Sequence, residues 1–292
     1  MRFDRLASLY LGHPLARALD KMREASVSIL MYHGIGKCAC NWSPYYETHT
    51  SPEVFRRQME DLRERGYRAV DLPTALESLS SNSRNKYIVI TFDDGLYDFY
   101  SAAYPILREH KFTATVFLVT DFVAGESTGH RKNKYMNWEE VRELHAQGIR
   151  FGSHTKSHPQ LRLLSPRDVD EEIGSSKKVI EDQIGSAVTS FSYPFAFPEV
   201  HGEFRKRLTA SLENHGYLNG VTTIIGRASR SRERYFLPRL PVNSFDDPAL
   251  FEAKLEGGYD WLQGPQYLVK LAKKISRLDQ RRPVLLAGTG AN

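Results

Sequence analysis

Short apolar runs of strand length, rich in β-branched residues, recur along the chain at Val27–Tyr32, Arg68–Asp71, Tyr87–Phe92, Ala114–Val119, Ile149–Gly152, Thr189–Tyr193 and Val221–Ile225. Several lack the polar alternation of a half-solvated strand, so they read as strands covered on both faces. Between them the apolar spacing changes to three and four, with helix punctuation. Ser51-Pro52-Glu53 offers an N-cap and a proline at the first helical position; Phe55, Met59 and Leu62 follow as one face, and Gly66 closes it. Asn137 with Glu140 three residues on predicts a capped helix carrying Val141 and Leu144. Ser165-Pro166 opens another, with Val169, Ile173, Ile180 and Ile184 before Gly185, and Tyr97–Glu109 and Glu203–His215 complete the set.

Strand and helix alternate throughout, which argues for a parallel sheet with right-handed crossovers. About seven strands suit an α/β fold closed, or nearly closed, as a distorted (β/α) barrel, in which chemistry gathers at the C-terminal ends of the strands. An open doubly wound sheet is the structural alternative. The pattern divides the chain into an N-terminal amphipathic extension (1–24), a barrel (25–245) and a C-terminal helical extension (246–292).

Composition narrows the class only a little. The 292 residues are 41% hydrophobic and 26% charged, as in a soluble globular protein. Lys and Arg number 40 against 35 Asp and Glu, a net charge of +5 that permits an anionic surface as partner without demanding one. No basic run with interleaved aromatics points to nucleic acid. Cys38 and Cys40 read as two loop thiols, neither a disulfide framework nor a metal knuckle. No apolar run approaches the ~20 residues of a membrane span, and residues 1–24 lack a secretory apolar core. The expectation is a cytoplasmic protein, or one lying on the inner membrane face. Oligomeric state is not legible.

Two places carry the chemistry. Ile88-Val89-Ile90-Thr91-Phe92-Asp93-Asp94-Gly95 runs an apolar strand into two carboxylates and a glycine. Continued alternation would send the acids to opposite faces. Ending the strand there, with Gly95 free to take positive φ, lets both converge. On its own this is equally an Asp-Gly turn. Phe151-Gly152-Ser153-His154-Thr155-Lys156-Ser157-His158-Pro159 again ends a strand at a glycine, now with two histidines four apart, which on a helical turn would share one face. Taken together, two His and one Asp make a three-ligand site with open positions, as in a catalytic metal centre. The other carboxylate is then free to act as a base toward water at the metal.

Thr91-Phe92-Asp93-Asp94-Gly95 and His154-Thr155-x-x-His158 resemble the first two motifs of the polysaccharide deacetylases, the NodB homology domain of carbohydrate esterase family 4. The likeness runs from about Val27 to Val242. Ile29-Leu30-Met31-Tyr32-His33 resembles the opening strand of the branch that includes poly-N-acetylglucosamine deacetylases, and Met136-Asn137-Trp138-Glu139-Glu140 its helix before the second motif. The resemblance implies that Asp94, His154 and His158 hold one divalent ion and that Asp93 is the base. Zn²⁺ is the first expectation, and Co²⁺, Ni²⁺ or Mn²⁺ would also fit. It implies a hydrolase removing N-acetyl groups from an amino-sugar glycan or glycolipid. A family member that binds glycan without cleaving it, and an amidase on a smaller amide, are the alternatives.

Two motifs depart from the family pattern. Where it often has Arg-x-Pro-Tyr, this chain has Ser192-Tyr193-Pro194-Phe195. The Phe195 N–H remains as an oxyanion donor, Tyr193 joins it at the substrate side, and Arg239 in Leu237-Pro238-Arg239-Leu240-Pro241 stands in for the missing partner of Asp93. A C-terminal Leu-x-His is absent; Val284-Leu285-Leu286-Ala287-Gly288 has no histidine. His33, at the end of the first strand, is the replacement as proton donor to the leaving amine. Trp138, Tyr193 and Phe197 are candidates to stack on sugar rings.

The ends of the chain carry another pattern. Leu268, Leu271, Ile275 and Leu278 share a helical face, interleaved with Lys270, Lys273, Lys274, Arg277 and Arg281. Phe3, Leu6, Leu9 and Tyr10 lie beside Arg2 and Arg5. Such helices either dock on the barrel or make peripheral contact with an anionic membrane.

Overall fold

The computed structural model describes residues 2–19, 24–36, 47–81, 85–123, 134–197 and 201–279, with side chains to residue 272. Cys38, Cys40, Arg281 and residues 284–288 lie outside the described residues, as do the side chains of Ile275 and Leu278. Seven parallel strands close a barrel: β1 (Ser26–Tyr32), β2 (Tyr87–Phe92), β3 (Thr115–Leu118), β4 (Arg150–Ser153), β5 (Ser190–Ser192), β6 (Asn219–Ile225) and β7 (Leu237–Pro241). Closure is made by β1, which pairs with β2 through Ile29↔Val89 on one side and with β7 through Leu30↔Leu240 on the other. A ring closed in this way excludes the open doubly wound sheet.

The strand count agrees with the sequence reading, but one member differs. Arg68–Ala69 pairs only with the start of β2 and stays outside the ring. Its place in the count is taken by Leu237–Pro241, whose two prolines weaken the strand signal. The pairing of β7 with β6 shifts register between Leu237 and Arg239.

Alternation along the strands sorts the core into two parts. Val27, Ile29, Val89, Phe117, Val221 and Leu237 pack together inside the barrel, and Leu72, Ala75 and Leu79 of the helix Leu72–Ser80 join them. The intervening positions, such as Leu30, Ile88, Ile90, Val116 and Leu118, belong to the larger core beneath the outer helices. Gly152 leaves room within the barrel, since a Cβ there would lie 2.5 Å from the Phe117 ring.

The caps form as the sequence implies. Ser51 accepts from the Val54 N–H and Ser165 from the Asp168 N–H; Asn137 and Glu140 make a reciprocal capping box. Each such cap is worth ~1 kcal/mol. The long helix Pro166–Ile184 ends at Gly185 in the left-handed region (φ 66°).

The described N-terminal segment and the segment that begins at residue 248 both pack against the rest of the fold. Leu250, Phe251, Leu255 and Tyr259, at the start of the C-terminal extension, belong to the main core. Arg2 bridges Asp4 and Asp246, while Lys254 is buried against Asp246 at 2.7 Å. Among the described residues no helix is long and apolar enough to cross a membrane.

Candidate active site

The barrel's inward alternation delivers the site. On β2, Val89 and Thr91 face inward, and Asp93 continues that parity one step past the strand. β1 and β2 run in register to Tyr32↔Phe92, and the Asp93 N–H donates to the Tyr32 carbonyl at 3.1 Å. One step further, His33 and Asp93 leave neighbouring strands on the same rim.

Asp93 is buried and bound to an equally buried Arg239. The guanidinium grips it at two points: Nη1 to Oδ1 at 2.8 Å and Nη2 to Oδ2 at 2.7 Å. Arg239 also donates to the Thr222 carbonyl, Thr91 Oγ1 and Ser192 Oγ, and Ser192 Oγ donates on to Asp93 Oδ1. These contacts occupy all five guanidinium donors, which is what a buried charge requires. Burial pushes the Asp93 carboxyl up, but the charges of Arg239, His154 and His33 outweigh it and hold the group far below the usual carboxylate range.

Asp94 turns the other way. It takes φ 73° and is followed by Gly95 at φ 68°, so two successive left-handed residues re-aim the second acid. Asp94 Oδ1 then lies 3.5 Å from Nε2 of both His154 and His158. One ligand atom from each of the three residues falls within 4.8 Å of the other two.

The histidines reach this point from a loop. The expected helical turn is corrected here: residues 154–158 are not helical, and Thr155 (φ 71°) and His158 (φ 61°) are both left-handed. Glu172, from the helix Pro166–Ile184, holds the bend by accepting from the Lys156 and Ser157 N–H groups and from Ser157 Oγ. The His158 N–H donates to Thr155 Oγ1 at 3.0 Å. Of the five described non-glycine residues with positive φ, four are Asp94, Thr155, His158 and Phe195. Strain of ~1–3 kcal/mol per residue, concentrated here and not spread through the loops, marks a site the surrounding structure has to enforce.

His154 Nδ1 lies 2.8 Å from the Ser192 carbonyl, which can only accept. The proton therefore sits on Nδ1, and in the neutral ring Nε2 keeps its lone pair toward Asp94, the arrangement of a metal-ligating imidazole. Burial, with the charge of His154 second, lowers the His158 pKa against the opposing pull of Asp94 and Asp93.

Phe195 is half exposed, with its ring 4.7 Å from that of His158. Tyr193 requires a correction. Strand alternation turns Ser192 inward to Asp93 and Tyr193 outward, where it is buried among Phe191, Phe197 and Phe236. Its N–H is spent on the Val221 carbonyl, so the amide is not a free donor. Phe197 is likewise core, and Trp138 packs against the core from its helix. Ser192, Thr91 and Glu172 were missed by sequence reasoning. For Ser192 the signal was available: it precedes Tyr193 and so takes the opposite face.

A model of the polysaccharide deacetylase family matches residues 80–219, which span both the paired acids and the paired histidines. YxkH of Bacillus subtilis, named for the same family, is 31% identical over 236 residues, covering 80% of this chain and 77% of that protein. The chain belongs to the polysaccharide deacetylase family. The poly-β-1,6-N-acetyl-D-glucosamine N-deacetylase of Staphylococcus aureus is 25% identical over 260 residues, covering 80% of this chain and 86% of its own. Among solved structures, the Streptococcus pyogenes deacetylase PplD in complex with acetate superposes with a TM-score of 0.70 at 25% identity, covering 80% of this chain and 99% of that one.

Proposed function

We propose that this deacetylase hydrolyses N-acetyl groups of an amino-sugar glycan or glycolipid, with one divalent ion held by Asp94, His154 and His158 and with Asp93 as the base. The observation that carries the reading is the convergence of one carboxylate and two imidazoles beside a separate carboxylate paired with Arg239. The donor set suits Zn²⁺ and would accept Co²⁺, Ni²⁺ or Mn²⁺. When bound, such an ion supplies Lewis acidity to the acetyl oxygen and acidifies water.

The chain's own residues do the rest. Asp93 takes the proton of the attacking water. Held so far down by Arg239, it is a weak base, suited to water that is itself acidified. The Phe195 N–H donates to the oxygen on which negative charge develops. His33 gives a proton to the nitrogen as the C–N bond breaks, leaving acetate and a free amine. Arg239 positions Asp93 and replaces the arginine missing from Ser192-Tyr193-Pro194-Phe195, which speaks against an impaired glycan binder.

The relatives support the substrate class: one is named for an N-acetylglucosamine polymer, and another was solved with acetate, the product such a reaction releases. The test is mass spectrometry of N-acetylated glycans and small amides after incubation with metal-loaded protein. Products with an acetyl group replaced by hydrogen are expected from the glycans. Turnover of small amides alone would overturn the glycan assignment, and binding without any acetate release would favour the non-cleaving reading.

A further inference from the structure

The N-terminal helical segment, residues 3–18, is inside out. Two of its polar residues face the protein. Asp4 and Ser8 are buried; Asp4 accepts from Arg2 and from the Tyr259 hydroxyl, each at 2.7 Å, and Ser8 accepts from the Trp261 indole at 3.0 Å. Its large apolar residues face away: Phe3, Tyr10, Leu11 and Leu15 are 73%, 72%, 71% and 59% exposed. A helix that only packs on a barrel shows the reverse. Single exposed leucines need no explanation, but four large side chains turned outward on one short segment do.

A second exposed apolar group lies close by. Tyr267, Leu268 and Val269 are exposed at the start of the C-terminal helix Gln263–Asp279. That helix springs directly from the turn on which the N-terminal segment rests: Trp261 bonds Ser8, and a Cβ on Gly12 would meet both Trp261 and the Gly258 carbonyl. The charge around these residues is basic. Within 263–279 the chain carries Lys270, Lys273, Lys274 and Arg277 against Asp279 alone, and Arg17 beside Leu15 is two-thirds exposed while lying 3.8 Å from Glu256. The acids nearest the N-terminal segment are engaged already, Asp247 with Arg5 and Glu256 with His13.

We propose that these two helices form one docking surface for an anionic phospholipid bilayer, lying in its headgroup layer. Outward Phe and Leu side chains supply the insertion, and the net positive charge of the C-terminal helix sequence draws it to lipid phosphates. Tyr10 and Tyr267 suit the headgroup level, with an apolar ring and a polar tip. A second copy of the chain fits less well, because a two-fold contact would set the same basic residues against one another. The inference does not depend on the catalytic reading.

The test is flotation of the full chain with phosphatidylglycerol–phosphatidylcholine vesicles, beside pure phosphatidylcholine vesicles and a high-salt arm. The full chain is expected to float with the anionic vesicles at low salt, and about tenfold less with neutral vesicles or at high salt. A Tyr10→Ser/Leu11→Ser/Leu15→Ser variant, whose changes are all on the exterior and whose fold is checked by its Tm, is expected to lose flotation by about tenfold or more. Full-length protein left at the bottom of the anionic gradient would overturn the proposal. So would a variant that floats as well as the parent, or a dimer that the variant dissolves without any vesicle binding.

Discussion

Arg239 and Asp93 face each other inside the barrel as a two-point fork, at 2.8 and 2.7 Å, with Arg239 wholly buried and Asp93 2% exposed. The pair ties β7 to the end of β2 and holds the carboxylate ionised. Removing one member strands the other. Arg239→Met is expected to cost ~3–5 kcal/mol in urea unfolding, because Asp93 stays behind as an uncompensated buried charge. Arg239→Lys keeps a cation but not the planar fork, so an intermediate loss is expected, with kcat reduced more than KM. A variant Arg239→Met as stable as the parent would show that the pair contributes nothing to the fold.

Glu172 touches no proposed ligand, yet it holds three donors of the bend that aims His158. Glu172→Ala is expected to weaken Zn²⁺ binding by roughly 10-fold or more, in the range of residues that orient metal ligands from behind. Glu172→Gln keeps an acceptor and should restore much of it. Calorimetric titration of the metal-free protein distinguishes the two.

The fold and the proposed ligands were largely legible because both follow local rules. Apolar runs, capping serines and the glycine-terminated strands each announce themselves within a few residues, as at Ser51, Asn137 and Ser165. What was not legible depends on contacts between distant segments. Arg68–Ala69 looks as much like a strand as Leu237–Pro241 does, and only barrel closure decides which joins the ring. The histidine pair suggested a helical turn, but left-handed Thr155 and His158 make the approach, and they need Glu172, 14 or more positions along the chain, to hold them. Tyr193 could have been placed correctly by carrying the alternation through Ser192. The outward face of residues 3–18 could not, since nothing local says that Asp4 will find Tyr259.

His33 stands beside Asp93 on the rim, near enough for its charge to act on both Asp93 and His158. If it protonates the leaving amine, that contact matters only in the transition state. His33→Ala is then expected to lower kcat by roughly 10²-fold or more while KM changes little. Unchanged kcat with a lower Tm would make His33 a structural residue.

Asp4 gives a pH dependence whose sign is fixed. Burial raises its pKa, but bonds from Arg2 and Tyr259 lower it on balance to about 2. A depressed carboxylate contributes stability that is present above its unfolded pKa near 4 and is lost as pH falls toward about 2. Urea midpoints measured from pH 6 down to pH 2 should therefore fall less steeply in Asp4→Asn than in the parent. Parallel curves would contradict the assignment.

The central claim is tested most directly by titrating metal-free protein with Zn²⁺ while following acetate release from an N-acetylglucosamine oligomer. Acetate release should rise with added metal and break at one ion per chain. In Asp94→Asn it should stay flat because the ion is not held; in Asp93→Asn it should stay flat although the ion binds. Acetate release that is indifferent to metal, or that survives in Asp93→Asn, would contradict the account.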